Sequence, residues 1–155
     1  MTQEEKEILI KDISGRLLYG LKCKVDNTIP PIPSADDYRN GSVREIIEVT
    51  GIETDPDYEC VLTDDTECVL IRVIPYLRSM SSMTEKEKEE LKALCDKDLS
   101  EFAGHIMKGH GLSRDGLYMF DKLRQLDWLN KKMFDYRGLI PRGLAIEAPE
   151  GMYEF

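Results

Sequence analysis

The order of hydrophobic and polar positions predicts a helix at the start of the chain. Thr2 and Glu5 have the spacing of a capping box, in which each side chain accepts a hydrogen bond from the other residue's backbone N–H. Leu9 and Ile13 then give the segment one apolar side, and Gly15 is a typical residue for its end. We therefore expect a short helix between this box and Gly15.

Apolar runs in the first half of the chain predict four strands. Residues 16–25 are the first run, in which Leu21, Cys23 and Val25 alternate with lysine. Residues 43–52, 58–63 and 67–77 are rich in Val, Ile and Tyr and are separated by turn-forming residues. The last run is apolar on both faces, which is typical of a central strand. The pattern predicts an antiparallel β-meander, either an open sheet or a small SH3-like barrel.

Between the first two strands, residues 26–41 contain three prolines together with Asn, Asp and Ser. Proline has no backbone N–H for a helix or a central strand, so this segment is predicted to be a long loop. Loops of this length are often functional. Two interpretations stay open: a contact with another molecule, or a proline-stiffened surface connection.

Helical periodicity dominates the second half. A second capping box at Thr84 and Glu87 opens a segment with an apolar stripe, and a weaker helix is predicted over residues 99–108. The strongest three- and four-residue period covers residues 113–134 and predicts an amphipathic helix packed on the sheet. Its apolar positions are Met119, Phe120, Leu123, Leu126, Leu129, Met133 and Phe134.

These elements predict a single α+β domain over residues 1–155. Residues 1–78 are expected to be mainly β with a short N-terminal helix, and residues 84–134 are expected to form two or three helices that cover the sheet. Residues 135–155 follow neither period and are predicted to form an extended tail.

The charge of the chain changes which partners are plausible. The formal net charge is −9, all of which lies before residue 100, and residues 45–67 contain carboxylates but no Lys or Arg. Such a face repels phosphate backbones, so nucleic-acid binding through this half is disfavoured. No apolar run is long enough to span a membrane.

The N-terminus and the cysteines indicate a cytoplasmic protein. The first residues are charged with mixed sign, unlike a secretion signal. The four cysteines contain no CxxC spacing, and we interpret them as reduced thiols in the core. A cross-strand disulfide between Cys60 and Cys68, around a turn near Asp64, stays open as the alternative.

No motif with catalytic or metal-binding spacing is present. His105 and His110 are five residues apart and lack further ligands, so we interpret them as polar loop residues. The acidic run from Asp55 to Asp65 lacks the glycine and glutamate positions of an EF-hand loop and is interpreted as a solvated hairpin. The sequence therefore predicts no cofactor and assigns no catalytic, cofactor-binding or metal-binding residue.

Four residues near the end of the long helix are candidates for recognition: Trp128, Tyr136, Arg137 and Arg142. Trp, Tyr and Arg are enriched at binding hot spots because they combine large contact area with directional hydrogen bonds. The alternative interpretation, favoured for Trp128, is that the side chain belongs to the core.

Three parts of the chain resemble known sequences: residues 75–84, residues 128–140 with a gap, and residues 143–153. They are similar to stretches of small uncharacterised proteins common in prophage and mobile-element regions of gut anaerobic bacteria. The resemblance implies a bacterial or phage accessory protein and transfers no site residue.

The first functional hypothesis is therefore a non-catalytic interaction or accessory protein whose partner is another protein. The second is a nucleic-acid-associated protein, through a basic patch of Lys131, Lys132, Arg137 and Arg142, or an acidic mimic of a phosphate backbone. The third is a small hydrolase or metal enzyme. The three differ in the chemistry they require at the site.

Overall fold

A computed structural model describes residues 1–26, 45–54, 59–63, 67–96 and 114–155. The helices are α1 (Gln3–Ser14), α2 (Glu85–Asp96) and α3 (Arg114–Lys131). The strands are β1 (Lys22–Val25), β2 (Ile46–Glu48), β3 (Gly51–Thr54), β4 (Glu59–Leu62), β5 (Glu67–Val69), β6 (Val73–Leu77) and β7 (Ile146–Glu147). The predicted α+β class is confirmed.

The strands form two sheets instead of one. The larger sheet has the order β2-β1-β6-β7, and the smaller has the order β3-β4-β5. In the larger sheet β1 is antiparallel to both of its neighbours, whereas β6 and β7 are parallel. The smaller sheet is an antiparallel meander. The described strands therefore form open sheets, and an SH3-like barrel is not among them.

The predicted antiparallel meander is present as β3-β4-β5, but the prediction of one four-stranded sheet is wrong because two of the predicted runs are each divided between the sheets. Within residues 67–77, a 3-10 turn at Leu70–Arg72 ends β5 before β6 begins. Between β2 and β3, the backbone N–H of Val49 donates to Leu21 O, while that of Thr50 donates to Leu62 O. Adjacent residues thus bond to different sheets. Val49 at one crossing and Leu70 at the other are buried like the strand residues beside them, so the sequence pattern does not show the break.

The chain after α3 is part of the core. The Asp135 carboxylate accepts hydrogen bonds from the backbone N–H groups of Leu139 (2.7 Å) and Ile140 (2.8 Å), which holds the turn between them. Leu139 is fully buried, and β7 adds a parallel strand to β6. Residues 135–155, which the sequence suggested to be an extended tail, therefore pack through turns and a short strand.

Helix α3 uses only part of its predicted apolar stripe for packing. Leu129 is buried with Met83 and Phe134 in a small cluster near α2. Leu123 is 54% exposed, and Leu126 is also exposed. Met133 and Phe134, the last two positions of the predicted stripe, are buried but lie beyond the end of α3. Burial of the whole stripe against the sheet is therefore not observed.

The main core collects residues from α1, from both sheets and from the chain after α3. Its buried members are Leu9, Ile13, Leu21, Cys23, Val25, Ile47, Val49, Val61, Leu70, Val73, Leu77, Met133, Leu139 and Ala145. Cys23 is buried as a thiol, as predicted. In the β4–β5 hairpin, Cys60 is the register partner of Val69 and Cys68 that of Val61, so the two cysteines are not paired across the strands.

Several predictions fall outside the described residues. These are the loop over residues 27–41, the helix over residues 99–108, the pair His105 and His110, and most of the acidic run. Among the helices that the structure does describe, none is both long enough and apolar enough to cross a membrane.

Candidate functional site

Three of the four predicted recognition residues lie around the small cluster. Trp128 stacks on Phe134, with ring centroids 5.8 Å apart and planes 16° apart. Tyr136 packs on the same cluster and donates a hydrogen bond to Asn130 Oδ1 at 2.9 Å. The Arg137 guanidinium lies 4.9 Å from the Tyr136 ring centroid. Arg142 is exposed, and no contact joins it to the other three in the part of the chain described.

Tyr136 and Arg137 contact a buried ion pair. Arg16 donates to the Asp12 carboxylate from Nε (2.8 Å) and Nη2 (3.0 Å), and both side chains are 0% exposed. Arg16 Nη2 also donates to Phe134 O at 2.8 Å. Arg137 Nε is 3.4 Å from Asp12 Oδ1. These contacts fix the end of α1 to the chain after α3.

The sequence carried one signal for this ion pair that the predictions did not use. Asp12 and Arg16 are four residues apart at the end of a predicted helix, which is the spacing of neighbouring side chains on one helix face. Their burial could not be predicted in the same way, because it depends on Phe134 and Arg137.

A cleft of about 580 Å³ opens between the start of α2 and residues 147–155. This volume is within the range of ligand-binding pockets. Its lining residues are Arg78, Ser82, Thr84, Lys86, Glu87, Glu90, Lys132, Glu147, Ala148, Pro149, Glu150, Gly151, Tyr153 and Phe155. None of the predicted recognition residues lines it.

Arg78 and Glu87 form a second bidentate ion pair in this cleft. Arg78 Nη1 donates to Glu87 Oε1 at 2.7 Å, and Nη2 donates to Oε2 at 3.0 Å. The Arg78 guanidinium also lies 4.2 Å from the centroid of the Phe134 ring. The side chains of Arg78 and Glu87 are 19% and 11% exposed. Unlike the pair at Asp12, this one borders open space.

The capping box of α2 completes the environment of Glu87. Glu87 Oε2 accepts hydrogen bonds from the Thr84 backbone N–H (2.9 Å) and hydroxyl (3.0 Å), and the Glu87 N–H donates to Thr84 Oγ1 (3.2 Å). The hydrogen bonds from Arg78, with those from Thr84, lower the pKa of Glu87 from 4.5 to about 2. The carboxylate is therefore ionised at neutral pH, and it accepts four hydrogen bonds from Arg78 and Thr84.

The opposite wall is anchored to the larger sheet by Tyr153. Its hydroxyl donates to Tyr76 O at 2.9 Å and accepts from the Lys22 backbone N–H at 3.1 Å. Lys22 Nζ donates to Met152 O at 2.9 Å. Burial is the main cause that raises the pKa of Tyr153, so the phenol stays protonated. These hydrogen bonds fix the position of this wall of the cleft.

Phe155 forms an exposed aromatic edge of the cleft. Its ring is stacked with Tyr153 at a centroid distance of 6.0 Å, and the residue is 56% exposed. The Arg78 guanidinium lies 5.4 Å from the ring centroid, and Lys132 Nζ lies 4.9 Å from it. Contacts of this kind between a cation and a ring are attractive. Two cations and a second ring therefore hold an exposed aromatic surface in place.

A second exposed apolar surface lies away from the cleft. Leu18, in the 3-10 turn after α1, is 91% exposed, and its neighbour Tyr19 donates a hydrogen bond to Asp127 on α3. That hydrogen bond raises the pKa of Tyr19. On α3, Leu123 is one turn before Asp127 on the same face, so exposed leucines lie on both elements.

Across the residues described, no group of three or more His, Cys, Asp or Glu side chains is arranged to hold a metal ion. No protein-family model, no curated protein and no solved structure matches this chain. The function is therefore argued from the geometry of the cleft.

Proposed function

We propose that this protein is a non-catalytic binding protein that holds a segment of another protein in the cleft between α2 and residues 147–155. The observation that carries the proposal is the half-exposed Phe155 ring, fixed between Arg78 and Lys132 at the edge of the cleft. Aromatic and arginine side chains contribute much of the energy at protein interfaces. A ring that is already ordered loses little entropy when a partner packs on it.

The ionisable groups of the cleft support binding in preference to catalysis. Arg78 and Glu87 neutralise each other, and the remaining acceptor capacity of Glu87 is used by Thr84. Because its pKa is about 2, Glu87 does not exchange a proton near pH 7, and the raised pKa of Tyr153 has the same consequence. General acid–base catalysis is most efficient when the pKa lies near the working pH.

The proposal includes a bacterial or phage accessory role in the cytoplasm. The buried Cys23 thiol supports a reducing compartment. The net charge of −9 supports a protein partner over nucleic acid, because phosphate backbones are repelled.

Selection of ligands from a displayed random-peptide library on the immobilised chain tests the proposal. The selected peptides are then measured by calorimetry against the wild type and against Phe155→Ala, with Leu18→Ala as the matched control on the other exposed apolar surface. We expect Phe155→Ala to weaken binding by about tenfold or more, as for a hot-spot residue, and Leu18→Ala to leave it unchanged. Mass spectrometry should find the peptides intact after incubation.

Two results contradict the proposal. Binding that depends on Leu18 and not on Phe155 places the interaction on the other surface. Cleavage or modification of the selected peptides by purified protein shows that the protein is an enzyme. Circular dichroism of each variant confirms that a loss of binding is not a loss of the fold.

A further inference from the structure

We infer, on the basis of the proposed function, that the segment bound in the cleft is basic and places a Lys or Arg side chain against Glu147 and Glu150. The charges of the cleft, the ordered backbone that carries the two carboxylates and the position of Phe155 lead to this ligand class. The inference would be wrong, and the proposed function still correct, if the bound segment had another charge.

Internal pairing removes most of the charges of the cleft. Arg78 and Glu87 form the bidentate pair, and Lys86 Nζ lies 3.9 Å from Glu90 Oε1. Lys132 contacts the Phe155 ring. Glu147 and Glu150 are exposed and have neither an ion pair nor a hydrogen bond from any side chain that the structure describes. Among the described residues, the cleft charges that have no ion-pair partner are therefore the carboxylates of Glu147 and Glu150 and the ammonium of Lys132, which leaves a balance of one negative charge.

The backbone that carries these two carboxylates is ordered: Glu147 ends β7, and Glu150 lies in the turn that follows it. The Met152 N–H donates to Pro149 O at 3.1 Å, and Gly151 has φ of +76°, a combination typical of a type II turn with Glu150 at its first central position. Before the turn, the Ala148 N–H donates to Leu77 O at 2.7 Å. A cation that approaches the cleft thus meets two acids whose backbone is already ordered, so little entropy is lost on binding.

The surroundings of the two acids favour a peptide over a simple cation. Phe155 supplies an exposed ring at the same cleft, which suits an apolar or aromatic side chain next to the basic one. The net charge of −9 attracts a basic partner over a longer range and raises its rate of association. The ligand class is therefore a protein segment with Lys or Arg beside an apolar residue.

Fluorescence anisotropy with labelled Gly/Ser peptides tests the inference. One probe carries two arginines around a phenylalanine, the second replaces the arginines by glutamates, and the third by glutamines. We expect the wild type to prefer the arginine probe, and Glu147→Lys/Glu150→Lys to lose about tenfold or more in affinity for it while gaining affinity for the glutamate probe. The control Glu7→Lys/Glu53→Lys has the same net charge and alters exposed acids outside the cleft lining.

Each other outcome has a defined meaning. Equal losses in the two double variants show that only the net charge acts, which overturns the inference. Preference for the glutamate or glutamine probe also overturns it, while binding that still depends on Phe155 preserves the proposed function. Failure of every probe and of the library peptides removes both proposals. Competition by spermidine as strong as that by the unlabelled arginine peptide assigns the site to free cations and overturns the peptide assignment.

Discussion

Asp12–Arg16 and Glu87–Arg78 are ion pairs of the same geometry in opposite surroundings. In both, the arginine donates two hydrogen bonds to one carboxylate and lies near an aromatic ring: Tyr136 at 5.4 Å for Arg16 and Phe134 at 4.2 Å for Arg78. The first pair is fully buried. The second is partly exposed and borders the cleft.

The comparison shows that the accessibility of an ion pair, more than its geometry, separates a structural role from a candidate binding role. A buried pair has lost its hydration, so each charge depends on its partner. A pair beside open space keeps part of its hydration and still presents its outer face to a ligand. Four predictions test this difference, beginning with the largest effect.

Breaking the buried pair is expected to cost most. Asp12→Ala leaves the Arg16 charge in the core, so the free energy of unfolding should fall by about 3–5 kcal/mol in urea denaturation followed by circular dichroism. Asp12→Leu with Arg16→Met should recover much of that loss because no charge remains buried. The control is Lys88→Ala, which breaks an exposed pair with Glu85 and should cost less than about 1 kcal/mol. Equal losses in Asp12→Ala and Lys88→Ala would refute the distinction.

Breaking the pair at the cleft should have a smaller effect on stability. Arg78→Met removes two charged hydrogen bonds from a partly hydrated site, so a loss of about 1–3 kcal/mol is expected by the same denaturation assay. Arg78→Lys keeps the charge but cannot form both bonds and should fall between the wild type and Arg78→Met. If Arg78→Met loses as much stability as Asp12→Ala, the Arg78–Glu87 pair is as inaccessible to water as the buried pair, and the distinction between them fails.

The third test uses pH. The pKa of Glu87 is lowered from 4.5 to about 2 in the folded protein, so its ionised form stabilises the fold above pH 4.5. This contribution is lost as the pH falls from 4.5 towards 2. Glu87→Gln should therefore be less stable than the wild type by about 1–2 kcal/mol at pH 7, with a difference that shrinks between pH 5 and pH 2. A difference that does not depend on pH would contradict the assignment.

The smallest expected effect compares the two capping boxes. Thr84 caps α2 and donates to the carboxylate of the Arg78 pair, whereas Thr2 caps α1 at an exposed end. Thr84→Ala should lower the free energy of unfolding by about 1–2 kcal/mol and Thr2→Ala by about 0.5–1 kcal/mol, measured by thermal denaturation. Serine at either position should retain most of the stability. The reverse order would show that the Thr84 box is independent of the ion pair.

Local features of the fold were predictable, and the sheets were not. Both capping boxes and the long helix follow from spacings of two to four residues, and each is observed. The strand predicted over residues 16–25 is observed only at Lys22–Val25, because Leu17–Tyr19 form a 3-10 turn. The run over residues 67–77 was expected to be one strand because the 3-10 turn within it is apolar and buried at Leu70. Strand pairing joins distant residues, so the pattern of a single run does not contain it.

The candidate cleft was missed for a related reason. The sequence marked Trp128, Tyr136, Arg137 and Arg142 by residue type, but the cleft unites Arg78, the first turn of α2, Lys132 and residues 147–155. Of the lining residues, Thr84 and Glu87 were identified in advance as the start of a helix, and Lys132 as part of a basic patch. Residue type alone carries no information on solvent exposure, and exposure is the property that distinguishes Phe155.

The sequence by itself determined where the helices begin, which face of β1 is buried and that the chain carries a net negative charge before residue 100. Those properties depend on side-chain spacing and composition. Only the tertiary structure decided which ion pair is buried and which is open, because burial is set by residues far along the chain: Arg16 bonds Phe134 O across 118 positions, and Tyr153 bonds the backbone of Lys22 across 131.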